Sequence, residues 1–372
     1  MKTLRHGSRA RVAAVGVAAG VLLAGCGAAN EQAPAGGSGG APAGGPALSG
    51  TISGAGASSQ QAAMQAWIAG FTGANPDATI NYDPSGSGAG RTQFVAGGVA
   101  FAGSDAYLKQ EELTQAQQRC GGSVVEVPAY ISPIAVIYNL PGVTDLQLAP
   151  ATIAGIFDGK ITNWNAPEIA ADNPGKTLPD QAITPVHRSD ESGTTDNFTD
   201  YLSKASGGAW PHEPDGAWPI QGGEAAQGTS GVVGAVQGGA GTIGYADESQ
   251  AGSLGKVLVK VGDQFTGPTP EAAANVLAES TRVEGRGDTS FAFDLARETS
   301  AAGTYPIVLV SYQMACGRYQ DQAQADLVKG FLTYTTSAEG QKAASEAAGS
   351  APLSEQLRSQ ISPAITGISA GA

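Results

Sequence analysis

The chain has 372 residues, of which 41% are hydrophobic and only 14% charged. Its 33 acidic residues outnumber 20 basic ones, and the net charge of −13 argues against general nucleic-acid binding, which depends on clustered Lys and Arg. The 3 Cys and 3 His are too dispersed for a zinc finger, and no apolar run is long enough for a polytopic membrane protein. We therefore expect no nucleic-acid partner and no metal.

The first 25 residues have the pattern of a secretory signal peptide. A basic head precedes an apolar stretch over residues 12–25. This stretch ends in Leu-Ala-Gly before Cys26, which resembles a bacterial lipobox, a motif whose cysteine is lipidated. A buried or disulfide-bonded cysteine is the alternative, and the position of Cys26 at the end of the apolar run disfavours it. We expect export and anchoring to the outer face of the cytoplasmic membrane through lipidated Cys26.

Residues 26–48 form a Gly-, Ala- and Pro-rich segment without hydrophobic periodicity. This composition predicts a flexible tether. A flexible chain of this length spans roughly 26 Å, which is enough for a folded domain to reorient above a membrane.

From residue 49 onward, short apolar segments alternate with amphipathic ones, as in α/β proteins. The first predicted helix is defined by apolar residues at helical spacing, namely Met64, Trp67, Ile68 and Phe71. Buried strands are predicted at residues 124–127, 131–138 and 307–316, and an apolar helical region at residues 327–348. The alternation predicts parallel sheets.

Three segments share one local chemistry, in which a strand end and a small hydroxyl residue precede a predicted helix. They are residues 54–59, 83–90 and 188–195. A helix start has unpaired N–H donors and a partial positive charge, so three converging starts would form an anion site. Ordinary N-capping by Ser or Thr is the alternative for each segment alone.

Arg188 and Asp105 add side-chain chemistry to these segments. The guanidinium of Arg188 can bind a tetrahedral oxyanion through two hydrogen bonds, and Asp190 two residues later can orient it. The alternative is a surface Arg paired only with Asp190. Asp105 follows a predicted strand, where the alternative role is helix capping. His187 is expected to be structural, because no triad-like neighbour is evident.

In this order and spacing, the motifs resemble those of the phosphate-binding lipoproteins of bacterial high-affinity phosphate ABC importers, over most of residues 49–372. The matching segments are 54–57, 81–87, 101–105, 188–194 and 241–245. The resemblance implies an α/β type II periplasmic-binding-protein fold, with two lobes joined by two crossovers and a ligand cleft between them. Lobe 1 would comprise residues 49–130 and 247–372, and lobe 2 residues 131–246.

The resemblance also implies a ligand set. Hydroxyl ligands of phosphate would be Ser58, Ser87, Ser192 and Thr194. Main-chain N–H donors would be Ser59 and Gly193, Arg188 would supply the guanidinium, Asp105 would accept a ligand hydrogen, and Asp190 would support Arg188. Relatives often carry Thr and a bulky apolar residue where this chain has Ser58 and Ser59, but a main-chain donor does not depend on side-chain identity.

Cys120 and Cys316 would lie in the same lobe of such a protein, and export permits a disulfide between them. Two free thiols are the alternative. The expected function is capture of inorganic phosphate by a monomer and delivery to the membrane permease, with no cofactor and no catalytic residue. A binder of another oxyanion, such as sulfate or molybdate, is the alternative, followed by a secreted phosphatase.

Overall fold

The computed structural model describes residues 47–371. The predicted signal peptide, Cys26 and nearly all of the predicted tether lie outside these residues, so those predictions stand as made. No helix within residues 47–371 is long and apolar enough to cross a membrane.

The described chain alternates helices and strands, as predicted. The α-helices are α1 Gln61–Ala74, α2 Ser87–Val95, α3 Gln110–Arg119, α4 Pro150–Phe157, α5 Pro167–Asp172, α6 Gly193–Ala205, α7 Gly228–Gly238, α8 Pro270–Glu279, α9 Gln322–Thr336, α10 Ala338–Ala348 and α11 Glu355–Thr366. The strands are β1 Gly50–Gly56, β2 Ala78–Asp83, β3 Phe101–Ser104, β4 Val124–Asn139, β5 Gln147–Leu148, β6 Thr184–Arg188, β7 Glu224–Ala226, β8 Thr242–Asp247, β9 Gly255–Lys256, β10 Leu258–Val261, β11 Gln264–Thr266, β12 Thr281–Arg282, β13 Phe293–Asp294, β14 Val308–Cys316, β15 Arg318–Tyr319 and β16 Ser369–Ala370.

The main sheet has the strand order β2-β1-β3-β14-β4-β8-β6-β7, and β9 also pairs with β4. Its outer strands are parallel. On one side β1 runs parallel to β2 and β3, and on the other side β6 runs parallel to β7 and β8. Its centre is antiparallel, because β14 runs against β3 and β4, and β4 runs against β8. The prediction of parallel sheets was therefore wrong for the centre, where β14 arrives from a distant part of the sequence.

Strand β4 is a single 16-residue strand where the sequence predicted two. Residues 124–133 pair with β14, and residues 134–139 pair with β8, so β4 links two groups of strands. Pro128 lies where the register with β14 shifts, and Pro133 lies where the pairing with β14 ends, positions at which a sheet tolerates proline. The predicted lobe boundary at residue 130 lies close to this change of partner, and the division into lobes remains a prediction.

Helix α1 confirms the helical spacing of the sequence. Met64, Trp67 and Phe71 are buried on its inner face. The indole Nε1 of Trp67 donates a 2.8 Å hydrogen bond to the carbonyl of Gly340 on α10, and Phe71 packs edge-on against Phe331 of α9. The predicted C-terminal helical region is therefore present, and it covers the same side of the sheet as α1.

A disulfide joins Cys120, at the end of α3, to Cys316, the last residue of β14. Their Cα atoms are 5.1 Å apart, and 196 positions separate them in sequence. The predicted disulfide is confirmed.

Candidate functional site

The three hydroxyl-rich segments lie at helix starts, as predicted. Ser58 and Ser59 precede α1, Ser87 is the first residue of α2, and Ser192 caps α6 by accepting a 3.2 Å hydrogen bond from the N–H of Thr195. These serines are at most 6% exposed. Capping therefore holds for Ser192, and a capping bond and an anion site are compatible at the same helix start.

Asp105 directly follows β3 and connects the starts of α2 and α6. Its carboxylate Oδ2 accepts a 2.8 Å hydrogen bond from Oγ1 of Thr194, and its N–H donates to Oγ of Ser87 at 3.1 Å. Its carbonyl oxygen accepts from Nδ2 of Asn197 at 2.7 Å. Asp105 is only 2% exposed. The capping alternative for Asp105 is wrong, because the N-cap position of α3 is at Lys109, whose N–H donates to Oε2 of Glu112.

The three serines predicted as hydroxyl ligands of phosphate have their hydroxyl oxygens engaged as acceptors. Each accepts a hydrogen bond from a main-chain N–H: Ser58 from Thr229, Ser87 from Asp105 and Ser192 from Thr195, at 3.1, 3.1 and 3.2 Å. A hydroxyl group has one hydrogen and two lone pairs, so accepting an N–H leaves its own hydrogen able to donate. Ser87 and Ser192 are thus suited to donate hydrogen bonds to an anion, and Ser58 is equally suited when it also accepts from Oγ1 of Thr229, which lies 3.0 Å from its Oγ.

Arg188, at the end of β6, is oriented by Asp190. Nε and Nη2 of Arg188 donate to the two carboxylate oxygens of Asp190 at 2.8 and 2.5 Å. The N–H of Gly228, at the start of α7, donates to the same carboxylate at 3.0 Å. Burial alone would raise the pKa of Asp190, but the bonds and charge of Arg188 and the N–H of Gly228 hold it below its ordinary value. The predicted supporting contact of Asp190 is present.

Two glycines allow the segments to approach one another closely. Gly86 has φ +102°, and an added Cβ there would stand 2.5 Å from Oδ2 of Asp190. At Gly193 an added Cβ would stand 2.8 Å from both Oγ of Ser87 and Cβ of Asp105. Glycine is therefore required where the start of α6 meets α2 and β3.

Four contacting residues were missed by the sequence analysis. Thr229 donates a hydrogen bond to Ser58, and Ser311 and Asn197 donate to Asp105. Gln60 contacts Asp105 indirectly, because it donates to the hydroxyl of Ser311. In addition, the hydroxyl of Ser59, which was predicted to act only through its N–H, donates to Oδ1 of Asp105 at 2.6 Å. Of these residues, only Thr229 could have been found from the sequence, because it is a hydroxyl residue that follows Gly228 at the start of a helix.

His187 lies beside the site, and its ring nitrogens contact main-chain carbonyl oxygens rather than the side chains of the site. Its ring stacks on Trp218 at 5.0 Å, and its nitrogens lie against the carbonyl oxygens of Arg188 and Gly222. This arrangement fits the expected structural role. Across residues 47–371, no group of three or more His, Cys, Asp or Glu could hold a metal ion.

Residues 41–339 match a family model described as the PBP superfamily domain. The phosphate-binding protein PstS 3 of Mycobacterium tuberculosis is 36% identical, over 86% of this chain and 86% of the relative. PstS 3 of Mycobacterium leprae is 35% identical, over 96% of this chain and 98% of the relative. A phosphate-binding protein from Stenotrophomonas maltophilia has the same fold, with a TM-score of 0.67, 20% identity, and coverage of 85% of this chain and 94% of that one. The chain therefore belongs to the family of bacterial phosphate-binding proteins within the PBP superfamily, and its fold is the type II periplasmic-binding-protein fold.

Proposed function

We propose that the protein binds inorganic phosphate outside the cytoplasm and delivers it to the membrane permease of an ABC importer. One observation carries the proposal: buried Asp105 joins the hydroxyl-rich starts of α2 and α6, because its N–H donates to Ser87 and its carboxylate accepts from Thr194. Such a site offers many hydrogen-bond donors and one charged acceptor. Phosphate near neutral pH needs this combination, because it has several negative oxygens and still carries at least one hydrogen.

Selectivity against sulfate follows from the same carboxylate. Sulfate is fully ionised, so its oxygens would meet the buried oxygens of Asp105 with no hydrogen between them. A site built to bind a ligand hydrogen rejects analogues that lack it by about 10⁴- to 10⁵-fold, because a buried polar group is left unpaired.

Local geometry overcomes the acidic character of the chain. A net charge of −13 repels anions at long range, so attraction depends on groups that contact the ligand. The guanidinium of Arg188 supplies a positive charge, and the N–H groups of Ser59, Gly193 and Thr194 make no hydrogen bond with another residue of the described range. With the serine hydroxyls, these donors form the proposed phosphate ligand set: Ser58, Ser59, Ser87, Arg188, Ser192, Gly193 and Thr194, with Asp105 as the acceptor.

The site joins residues from both proposed lobes. Lobe 1, residues 49–130 and 247–372, contributes Ser87 and Asp105, and lobe 2, residues 131–246, contributes Thr194. The bond between Thr194 and Asp105 crosses from one to the other. We propose that phosphate stabilises the closed arrangement because only that arrangement completes its ligand set.

The proposed location follows from the N-terminal sequence. Residues 1–25 would direct export, Cys26 would be lipidated and hold the protein on the outer face of the cytoplasmic membrane, and residues 26–48 would let it reach the permease. We propose a monomer that needs no cofactor, has no nucleic-acid partner and is not an enzyme.

The alternatives make different predictions. A secreted phosphatase would hydrolyse a chromogenic phosphate ester, whereas the proposed binding protein leaves the ester intact. A binder of sulfate or molybdate would not need a carboxylate that accepts a ligand hydrogen.

The substitution Asp105→Asn tests the proposal, with Asp196→Asn as a matched control. Asp196 lies on α6 close to the site, but its carboxylate makes no hydrogen bond with another described residue. We expect Asp105→Asn to lose most of the preference for phosphate over sulfate in competition titrations, and Asp196→Asn to keep it. Unchanged selectivity in Asp105→Asn would refute the proposed role of this carboxylate.

A further inference from the structure

The Asp105 carboxylate accepts hydrogen bonds from three hydroxyl groups, which are distributed unequally between its oxygens. Oδ1 accepts from Oγ of Ser59 at 2.6 Å and from Oγ of Ser311 at 2.5 Å. Oδ2 accepts only from Oγ1 of Thr194 within the described residues, at 2.8 Å. Ser59 and Ser311 are fully buried, so water does not compete for these bonds.

Gln60 fixes the direction of the bond from Ser311. Its Nε2 donates to Oγ of Ser311 at 2.5 Å and to the carbonyl oxygen of Tyr312 at 3.3 Å. Because a carbonyl can only accept, the amide nitrogen and not the amide oxygen faces this pair. The hydroxyl of Ser311 therefore accepts from Gln60, and its single hydrogen is directed to Asp105.

The unequal distribution of these hydrogen bonds leaves one oxygen of the Asp105 carboxylate able to accept another. Each carboxylate oxygen offers about two lone-pair positions. On Oδ1 of Asp105 both positions are filled, by Ser59 and Ser311. On Oδ2 one position is filled by Thr194, and one remains, beside the start of α6.

We propose that Ser59 and Ser311 are positioning residues that hold Asp105 in one orientation and reserve the open position on Oδ2 for the ligand hydrogen. This inference rests on the proposed phosphate function and assigns a specificity-determining role to the hydroxyl groups of Ser59 and Ser311, which need not touch the ligand; the N–H of Ser59 remains a proposed phosphate donor. Without them the carboxylate could rotate toward new donors, and the acceptor would no longer face the phosphate.

A double-mutant cycle on phosphate affinity tests this role, because residues that act through Asp105 must lose their effect when its carboxylate is gone. The four proteins are the unchanged chain, Ser59→Ala/Ser311→Ala, Asp105→Ala, and the combination of all three substitutions. We expect the two serine substitutions to weaken phosphate binding about tenfold when Asp105 is present, and by less than about twofold in the Asp105→Ala background. Calorimetric titration measures each affinity.

Matched variants separate positioning from general loosening of the structure. Ser290→Ala removes a hydroxyl donor from the buried carboxylate of Glu126, which is the same chemistry outside the site, and should leave phosphate affinity unchanged. Ser311→Thr keeps a hydroxyl and should restore most of the affinity lost in Ser311→Ala. If the double serine variant does not fold, the same cycle with Ser59→Ala alone gives the test.

Two outcomes separate the inference from the function on which it rests. If the unchanged chain binds phosphate but the serine substitutions cost the same in both backgrounds, the positioning role is overturned and the proposed function stands. If the unchanged chain binds no phosphate, both are overturned.

Discussion

We predict that Asp247 makes the stability of the fold dependent on pH and that the substitution Asp247→Asn removes its contribution. The residue ends β8 and pairs with Ile134, where β4 changes partner from β14 to β8. Its side chain is fully buried and accepts hydrogen bonds from the hydroxyl of Tyr130 and from Ser249. Burial raises the pKa of Asp247 to about 7, repulsion by Asp105 adds to the effect, and the hydroxyl donors oppose it.

The size of the effect follows from proton linkage. An unfolded Asp has a pKa of about 3.9, so between about pH 4 and pH 7 the unfolded chain ionises at Asp247 while the folded chain keeps the proton. The stability that this proton gives is complete below pH 4 and is lost as pH rises toward the folded-state pKa of about 7. At 1.36 kcal/mol per pH unit, the two units from pH 5 to pH 7 amount to about 3 kcal/mol.

Denaturant unfolding at pH 5 and pH 8 measures this difference. Asn cannot ionise, so the free energy of unfolding of Asp247→Asn should rise by about 3 kcal/mol relative to the unchanged chain between these pH values. Asp263→Asn, at an exposed turn, serves as the control for losing a carboxylate. The reasoning would be refuted if Asp247→Asn and the unchanged chain differed in free energy of unfolding by the same amount at pH 5 and pH 8.

Three further predictions concern the disulfide and the site. Replacing Cys120 and Cys316 by Ser should lower the free energy of unfolding by about 2–5 kcal/mol in denaturant titrations, and reductant should abolish the difference from the unchanged chain. Gly193→Ala should weaken phosphate binding at least about tenfold by calorimetry, because the added Cβ would stand 2.8 Å from site atoms. Arg188→Lys should weaken it about 10- to 100-fold, because Lys cannot pair with both carboxylate oxygens of Asp190 while facing the anion; equal affinity would show that the guanidinium is dispensable.

The sequence predicted the parts of the fold that depend on neighbouring residues. The spacing of Met64, Trp67 and Phe71 determines which face of α1 is buried, and this information is local. The number and direction of the central strands were not predictable in this way. The sequence predicted separate strands at residues 124–127 and 131–138, whereas β4 is continuous, because a register shift and a change of strand partner accommodate Pro128 and Pro133.

The candidate site likewise has contacts that could be predicted from the sequence and contacts that could not. Arg188 and Asp190 lie two residues apart, so their pairing could be predicted from the sequence. Ser311 reaches Asp105 from 206 positions away, on a strand that looks like any buried strand in the sequence. Gln60 was equally hidden, because its role is to direct the hydroxyl of Ser311. Contacts of this kind depend on which strands become neighbours, and periodicity does not carry that information.

Calorimetric titration of the purified chain with phosphate and, separately, with sulfate at pH 7 tests the central claim most directly. The account predicts one tightly bound phosphate per chain and no heat with sulfate, because Asp105 requires a ligand hydrogen that sulfate lacks. Equal binding of both anions would contradict the role of Asp105. No response to either would contradict phosphate binding itself and leave the three helix starts without an anion to bind.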